Sequence, residues 1–93
     1  NWNPGSAPSP SVRFAAALAS RHMRLTAHEA IAAVTWNAAC VLGIEHQAGA
    51  IRPGMRALLQ LLPHRDERAY IHEVAGAGPD VTIMGEDVSV RVA

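Results

Sequence analysis

Residues 10–24, PSVRFAAALASRHMR, constrain the fold more than any other stretch of this chain. Ser9-Pro10 reads as a helix start: Ser9 can cap, and Pro10 at the first helical position gives up no needed hydrogen bond. A helix is expected from there to about Met23. Its polar stripe is only Arg13, Ser20, Arg21 and Arg24, and nearly every other side is Ala, Val, Leu or Phe. A helix at a free surface shows an apolar stripe on one face. This one needs neighbours on most sides, which 93 residues are poorly able to supply: a chain that short buries only about 60–65% of its unfolded surface.

Composition sharpens the point. Apolar residues make up 49% of the sequence, but 18 of the 93 residues are alanine and aromatics contribute 4%. Alanine buries little area, so the apolar fraction overstates the core. The chain opens on Asn1 rather than Met. Together with the thin core, this leads us to expect a piece of a longer protein. Eight arginines, no lysine and eight acidic residues cancel to a formal charge of zero. That balance argues against a nucleic-acid or anionic-membrane partner, both of which call for a basic field. A single cysteine excludes a disulfide framework and a CxxC zinc ribbon. No run approaches 18 apolar residues, and the opening Asn1-Trp2-Asn3-Pro4 has neither the basic segment nor the apolar run of a secretory leader, so neither a membrane span nor a leader is expected.

A second helix is expected from Thr26, where Thr26-Ala27-His28-Glu29 fits a capping box. Ile31, Val34, Ala38, Val41 and Leu42 recur at helical spacing, Gly43 supplies a stop, and Thr35 offers a second cap that would split the stretch in two. After Gly43 the character changes. Gly49, Pro53 and Gly54 mark a loop, and the Leu- and Ala-rich run 56–62 is of strand length without deciding between strand and helix. Residues 66–74 read as a short helix or turn. Val81 and Ile83, then Val88, Val90 and Val92, alternate around Gly85-Glu86-Asp87 as in a hairpin. The order is helices first, then a few strands, and a lone hairpin is marginal in water.

Little of this carries obvious chemistry. His22, His28, His46, His64 and His72 show no HxH, HExxH or HxxxH spacing, and read as surface or packing residues rather than as a zinc set, which needs three or four converging ligands. Cys40 is expected as a buried, inert thiol on the apolar face of the second helix. Arg65-Asp66-Glu67-Arg68 reads as a solvated charge cluster. Only Asn1-Trp2-Asn3-Pro4-Gly5-Ser6 has chemical shape. Asn3 offers an amide donor and acceptor, Gly5 permits close approach to a ligand, Ser6 adds a hydroxyl, and the neighbouring N–H groups suit an anion-holding nest. The same residues also make a good ordinary turn.

The segment Asn1-Trp2-Asn3-Pro4-Gly5-Ser6-Ala7-Pro8 resembles the D-x-N-P-G-S/T stretch of the imidazolonepropionases, members of the metal-dependent amidohydrolase superfamily. Leu25-Thr26-Ala27-His28-Glu29-Ala30 is similar to that family's L-T-P-E-E-A, and Val34-Thr35-Trp36-Asn37-Ala38-Ala39 to its V-T-x-N-A-A. Leu42-Gly43, Gly49 and Arg52-Pro53-Gly54 continue the likeness, which covers residues 1–62 well and 63–93 loosely. The later motifs are common to many amidohydrolases, whereas N-P-G-S selects the imidazolonepropionases among them.

The resemblance implies an α/β fold: the C-terminal part of an amidohydrolase (β/α)8 barrel plus strands of its small β-sandwich domain. Residues 1–48 would be the end of the barrel, with the loop after strand eight and the last helices, and 49–93 the C-terminal strands of the sandwich. It implies a cytoplasmic hydrolase that opens 4-imidazolone-5-propanoate to N-formimidoyl-L-glutamate in histidine degradation. A zinc or iron ion would serve the parent enzyme, with none expected on this fragment alone, which should be inactive. Its partner is a small-molecule substrate, and a homodimer of the parent is a further expectation. Carried over by position, Asn3, Gly5 and Ser6 would contact substrate, at the C-terminal face where such barrels place their sites. The sequence departs from the pattern at Asn1, where the family has an Asp that assists the metal and shuttles the proton. Asn cannot accept that proton and is a poorer ligand for a hard cation, so Asn1 is a weak candidate for either the catalytic or the metal role; the family's other ligands lie upstream. Met55 and Leu58 also stand where the family has a basic residue and an Asp. Two other readings remain open: another cyclic-amide amidohydrolase or a degenerate non-catalytic homologue, and a free-standing small helical interaction module.

Overall fold

The computed structural model describes residues 3–6, 8–73 and 78–91. The chain folds as three helices, a strand, a single helical turn and a hairpin: α1 Val12–His22, α2 Ala27–Val34, α3 Trp36–Leu42, β1 Leu58–Leu61, α4 Ala69–His72, β2 Val81–Met84 and β3 Asp87–Val90.

Helix α1 begins two residues later than Pro10. The cap is Ser11, whose hydroxyl accepts from the Phe14 N–H at 3.1 Å, while the Ser9 hydroxyl accepts from the Ser11 N–H. Both serines are spent on the entry turn, and the second one starts the helix. The helix ends through Arg24, the one non-glycine residue with positive φ among those described (+60°), which lets the Leu25 N–H reach back to the Ala19 carbonyl. At α2 the capping box forms as expected, with Thr26 Oγ1 accepting from the Glu29 N–H and the Glu29 carboxylate accepting from the Thr26 N–H. The Thr26 backbone N–H, and after it the Thr26 side chain, hold the Glu29 carboxyl below its ordinary range.

Thr35 does split the helical stretch, but not by capping with its side chain. Its backbone leaves the helical region (φ −119°, ψ −87°) and its hydroxyl donates back to the Ile31 carbonyl at 2.8 Å. The break resets the helical phase. Ile31 and Val34 stay half-buried, yet Val41 is 87% exposed, and Cys40, expected to be buried, is exposed as well. The apolar positions spaced from Ile31 to Leu42 are divided between two helices.

A small core holds the helices together. Ala16 of α1, Ala30 of α2 and Ile71 of α4 are all buried, with Leu25, Ala27, Ile31, Val34 and Tyr70 packed around them. Alanines let α1 and α2 approach closely, and Ile71, only 1% exposed, fills the space that two alanines leave.

The strands form an antiparallel sheet in the order β1-β2-β3. The undecided run 56–62 is therefore a strand over Leu58–Leu61, and it gives the expected hairpin a third member. Gly85 (φ +67°) opens the two-residue turn, the position at which a type II′ hairpin requires glycine. Val92 lies outside the described residues. The register puts Leu59, Leu61, Val81, Ile83, Val88 and Val90 on one face, and Leu58, Gln60, Thr82, Met84, Asp87 and Ser89 on the other.

Candidate functional site

The loop before α1 gathers three of the four residues singled out for chemistry. Asn1, the fourth, lies outside the described residues. Asn3 folds the chain into an Asx turn. Its Oδ1 accepts from the Gly5 N–H at 2.9 Å and the Ser6 N–H at 2.8 Å, and its Nδ2 donates to Ser6 Oγ at 3.3 Å. Pro4 sets its own φ for such a turn, and Gly5 leaves the Asn3 amide room: a Cβ there would come within 3.2 Å of Asn3 Oδ1, which would have to give by a few tenths of an ångström. Gly5 and Ser6 are exposed and Asn3 is half-buried. One sequence expectation changes here. The Gly5 and Ser6 N–H groups turn in to the Asn3 side chain, so they do not form an outward anion-holding nest.

The histidines do not converge. His28 Nε2 lies 2.7 Å from Glu67 Oε1, His64 Nε2 lies 3.1 Å from Glu73 Oε2, and His46 meets Gln47. Among the described residues, no three His, Cys, Asp or Glu side chains come together as a metal would require. The donor set present here therefore does not fit a zinc or iron ion. The 65–68 cluster is a solvated face, as expected: Arg68 bonds the Asp66 carboxylate and holds it down at about 2, and Glu67 turns to His28.

Two functional features of the packing have no signature in the sequence. Arg13 donates from Nε to the Tyr70 carbonyl at 2.7 Å and from its guanidinium to the Ala69 carbonyl, while sitting over the Tyr70 ring. Arg21 donates to the Ile71 and His72 carbonyls. Two arginines of α1 thus satisfy the Tyr70, Ile71 and His72 carbonyls that a one-turn helix leaves unpaired, and Arg13 adds a second donor at the Ala69 carbonyl that the Glu73 N–H already reaches. In the sequence they are merely the polar stripe of an apolar helix, because their partners lie 50 or more residues away. Arg52 likewise stacks over Trp36, 4.7 Å from the ring centroid, and fastens the 43–55 loop to α3.

Residues 5–90 match the model of the Amidohydrolase family. The chain belongs to that family. Among curated amidohydrolases, it is similar to an imidazolonepropionase of Geobacillus kaustophilus, 46% identical over 91 residues, which is 96% of this chain and 21% of the relative. An imidazolonepropionase of Herpetosiphon aurantiacus is 42% identical over 89 residues, again 96% of this chain and 21% of the relative. One of Chloroflexus aggregans is 42% identical over 74 residues, or 80% of this chain and 17% of the relative. The chain therefore spans about a fifth of the length of these curated relatives. No helix among the described residues of this amidohydrolase chain is long and apolar enough to cross a membrane.

Proposed function

We propose that this chain is the C-terminal portion of an imidazolonepropionase. The parent hydrolyses the cyclic amide of 4-imidazolone-5-propanoate to N-formimidoyl-L-glutamate, a step of histidine breakdown. The observation that carries the reading is the near-complete alignment of the chain with relatives of that name, joined to a formed Asn3–Ser6 turn at the motif that distinguishes them. In this reading the turn meets a small-molecule substrate, with Asn3, Gly5 and Ser6 the residues involved. The zinc or iron ion takes its ligands from the rest of the parent, since the described residues supply no set of them. A cytoplasmic setting and a homodimeric parent belong to the same proposal.

The proposed architecture gives residues 1–48 to the end of a (β/α)8 barrel and 49–93 to the C-terminal strands of a β-sandwich. Two features support it. Val12, Phe14 and Leu18 of α1 are exposed, as on a helix missing neighbours. One whole face of the sheet is aliphatic, as on the inner side of a sandwich whose second layer is elsewhere.

Asn1 favours one alternative, a homologue with another cyclic amide as substrate or with no activity. Both readings are tested on the parent. We expect its coding sequence to continue upstream of Asn1 into a barrel with H-x-H after the first strand, and the purified protein to open 4-imidazolone-5-propanoate. An in-frame stop just before Asn1, or a barrel lacking H-x-H, would overturn the proposal. Activity restored only by Asn1→Asp would favour the degenerate homologue.

A further inference from the structure

Helix α1 is tied to α4 by one arginine in its first turn and another in its last, and we infer that the first, Arg13, is a positioning residue for the loop at residues 3–6. The inference rests on the proposed function, in which that loop belongs to the active site. The chain leaves the sheet after β1 and rejoins it at β2, where the Asp80 N–H donates to the Leu61 carbonyl at 2.7 Å. Between them α4 crosses to the helices, and Ile71 anchors it in their core. Arg13 grips this anchored turn in two ways. Its Nε and Nη2 donate to the Tyr70 carbonyl at 2.7 Å and the Ala69 carbonyl at 3.3 Å, and its guanidinium carbon lies 5.0 Å from the Tyr70 ring centroid. A planar fork with both kinds of contact fixes direction as well as distance. Arg21 is alike in chemistry, donating to the Ile71 carbonyl at 3.1 Å and the His72 carbonyl at 3.3 Å, but it stands about 12 Å further along the helix. Place is what separates the two. Val12 and Phe14, the neighbours of Arg13, are exposed, so within this chain the first turn gains little from apolar packing. Arg13 follows the Ser11 cap by two residues. Between Ser6 and that cap, Pro8 and Pro10 lock their own φ and the Ser9 hydroxyl accepts from the Ser11 N–H at 3.2 Å. The connection from Arg13 to the loop is therefore short and stiff, whereas Arg21 holds the opposite end of the helix.

The test sets R13A against R21A in the intact parent enzyme. Each variant removes an arginine that donates to α4 carbonyls, and both are expected to lower Tm by similar amounts. Only R13A is expected to raise KM for 4-imidazolone-5-propanoate, about tenfold with kcat nearly constant, the pattern of lost uniform binding. R13K keeps a charge over the ring but not the fork, and should recover part of that loss. A second arm needs no substrate: amide exchange at Gly5 and Ser6 is expected to speed up in R13A and to stay at the wild-type rate in R21A. Equal changes of KM in R13A and R21A, or unchanged KM and unchanged Gly5 and Ser6 exchange in R13A, would overturn the inference and leave both arginines as packing. Should R13A fail to fold, R13K against R21K makes the same comparison. A wild-type parent that does not open the imidazolone ring would refute the enzyme reading, while the exchange arm would still decide whether Arg13 positions the loop.

Discussion

The helical region and the sheet are built from the same sparse aliphatic composition, yet only the helices enclose a core of their own, even with Val12, Phe14 and Leu18 of α1 left exposed. In α1, α2 and α4 the apolar side chains converge on Ala16, Ala30 and Ile71, and two arginines close the polar ends. In the sheet, six aliphatic residues share a face on which Leu61, Val88 and Val90 remain more than half exposed. The contrast shows that hydrophobic content does not make a core by itself. A core needs two layers, and in this chain the helices supply both layers whereas the sheet supplies one.

Substitutions can break the comparison, starting with the side chain on which the helical core depends. Ile71→Ala is expected to cost about 3 kcal/mol, read in the parent protein as lost amide protection in α1 and α2 with β2 and β3 unaffected. Equal loss in the sheet would mean that the two regions are one cooperative unit. Gly49→Ala comes next. Its φ is +99°, and a Cβ would sit 2.7 Å from Ala39 Cβ, so the 43–55 loop must lift from α3 at a cost of about 2 kcal/mol. The readout is a stability loss with altered Trp36 fluorescence, since Trp36 lies beside Gly49 and under Arg52. Thr26→Ala removes half of the capping box and should cost about 1 kcal/mol, confined to α2 exchange.

The smallest expected effect is a pH dependence at Asp66. Bonds from Arg68 lower its carboxyl from 3.8 to about 2. A carboxylate depressed in the folded state contributes its stability above the unfolded value and loses it as pH falls through the folded one. The Asp66 contribution should therefore be complete above about 4 and gone below about 2, with Asp66→Asn flat across that window by denaturation at graded pH.

Much of the helical region and the hairpin could be read from the sequence because their signals are local. The Thr26–Glu29 capping box, the Gly43 stop (φ +72°) and the hairpin turn at Gly85 each depend on residues a few positions apart. The sequence is silent where a distant or phase-dependent fact decides the outcome. Cys40 and Val41 read as apolar-face residues, and the Thr35 break leaves both exposed. Arg13 and Arg21 gave no hint that they would hold α4, because nothing near them in sequence marks a partner so far along the chain. At the candidate site, residue types identified Asn3, Gly5 and Ser6, but not that the N–H groups expected to hold an anion would be used inside the turn.

The claim that the sheet's second layer belongs to the rest of the parent can be tested directly by hydrogen exchange of the β2 amides, Val81 to Met84, in the isolated 93-residue chain and in the parent. Covering a six-residue aliphatic face should slow opening of the strand by at least about 100-fold, the equivalent of roughly 3 kcal/mol. Equal protection of β2 in the two proteins would contradict the account and favour a sheet, and with it a small domain, that stands alone.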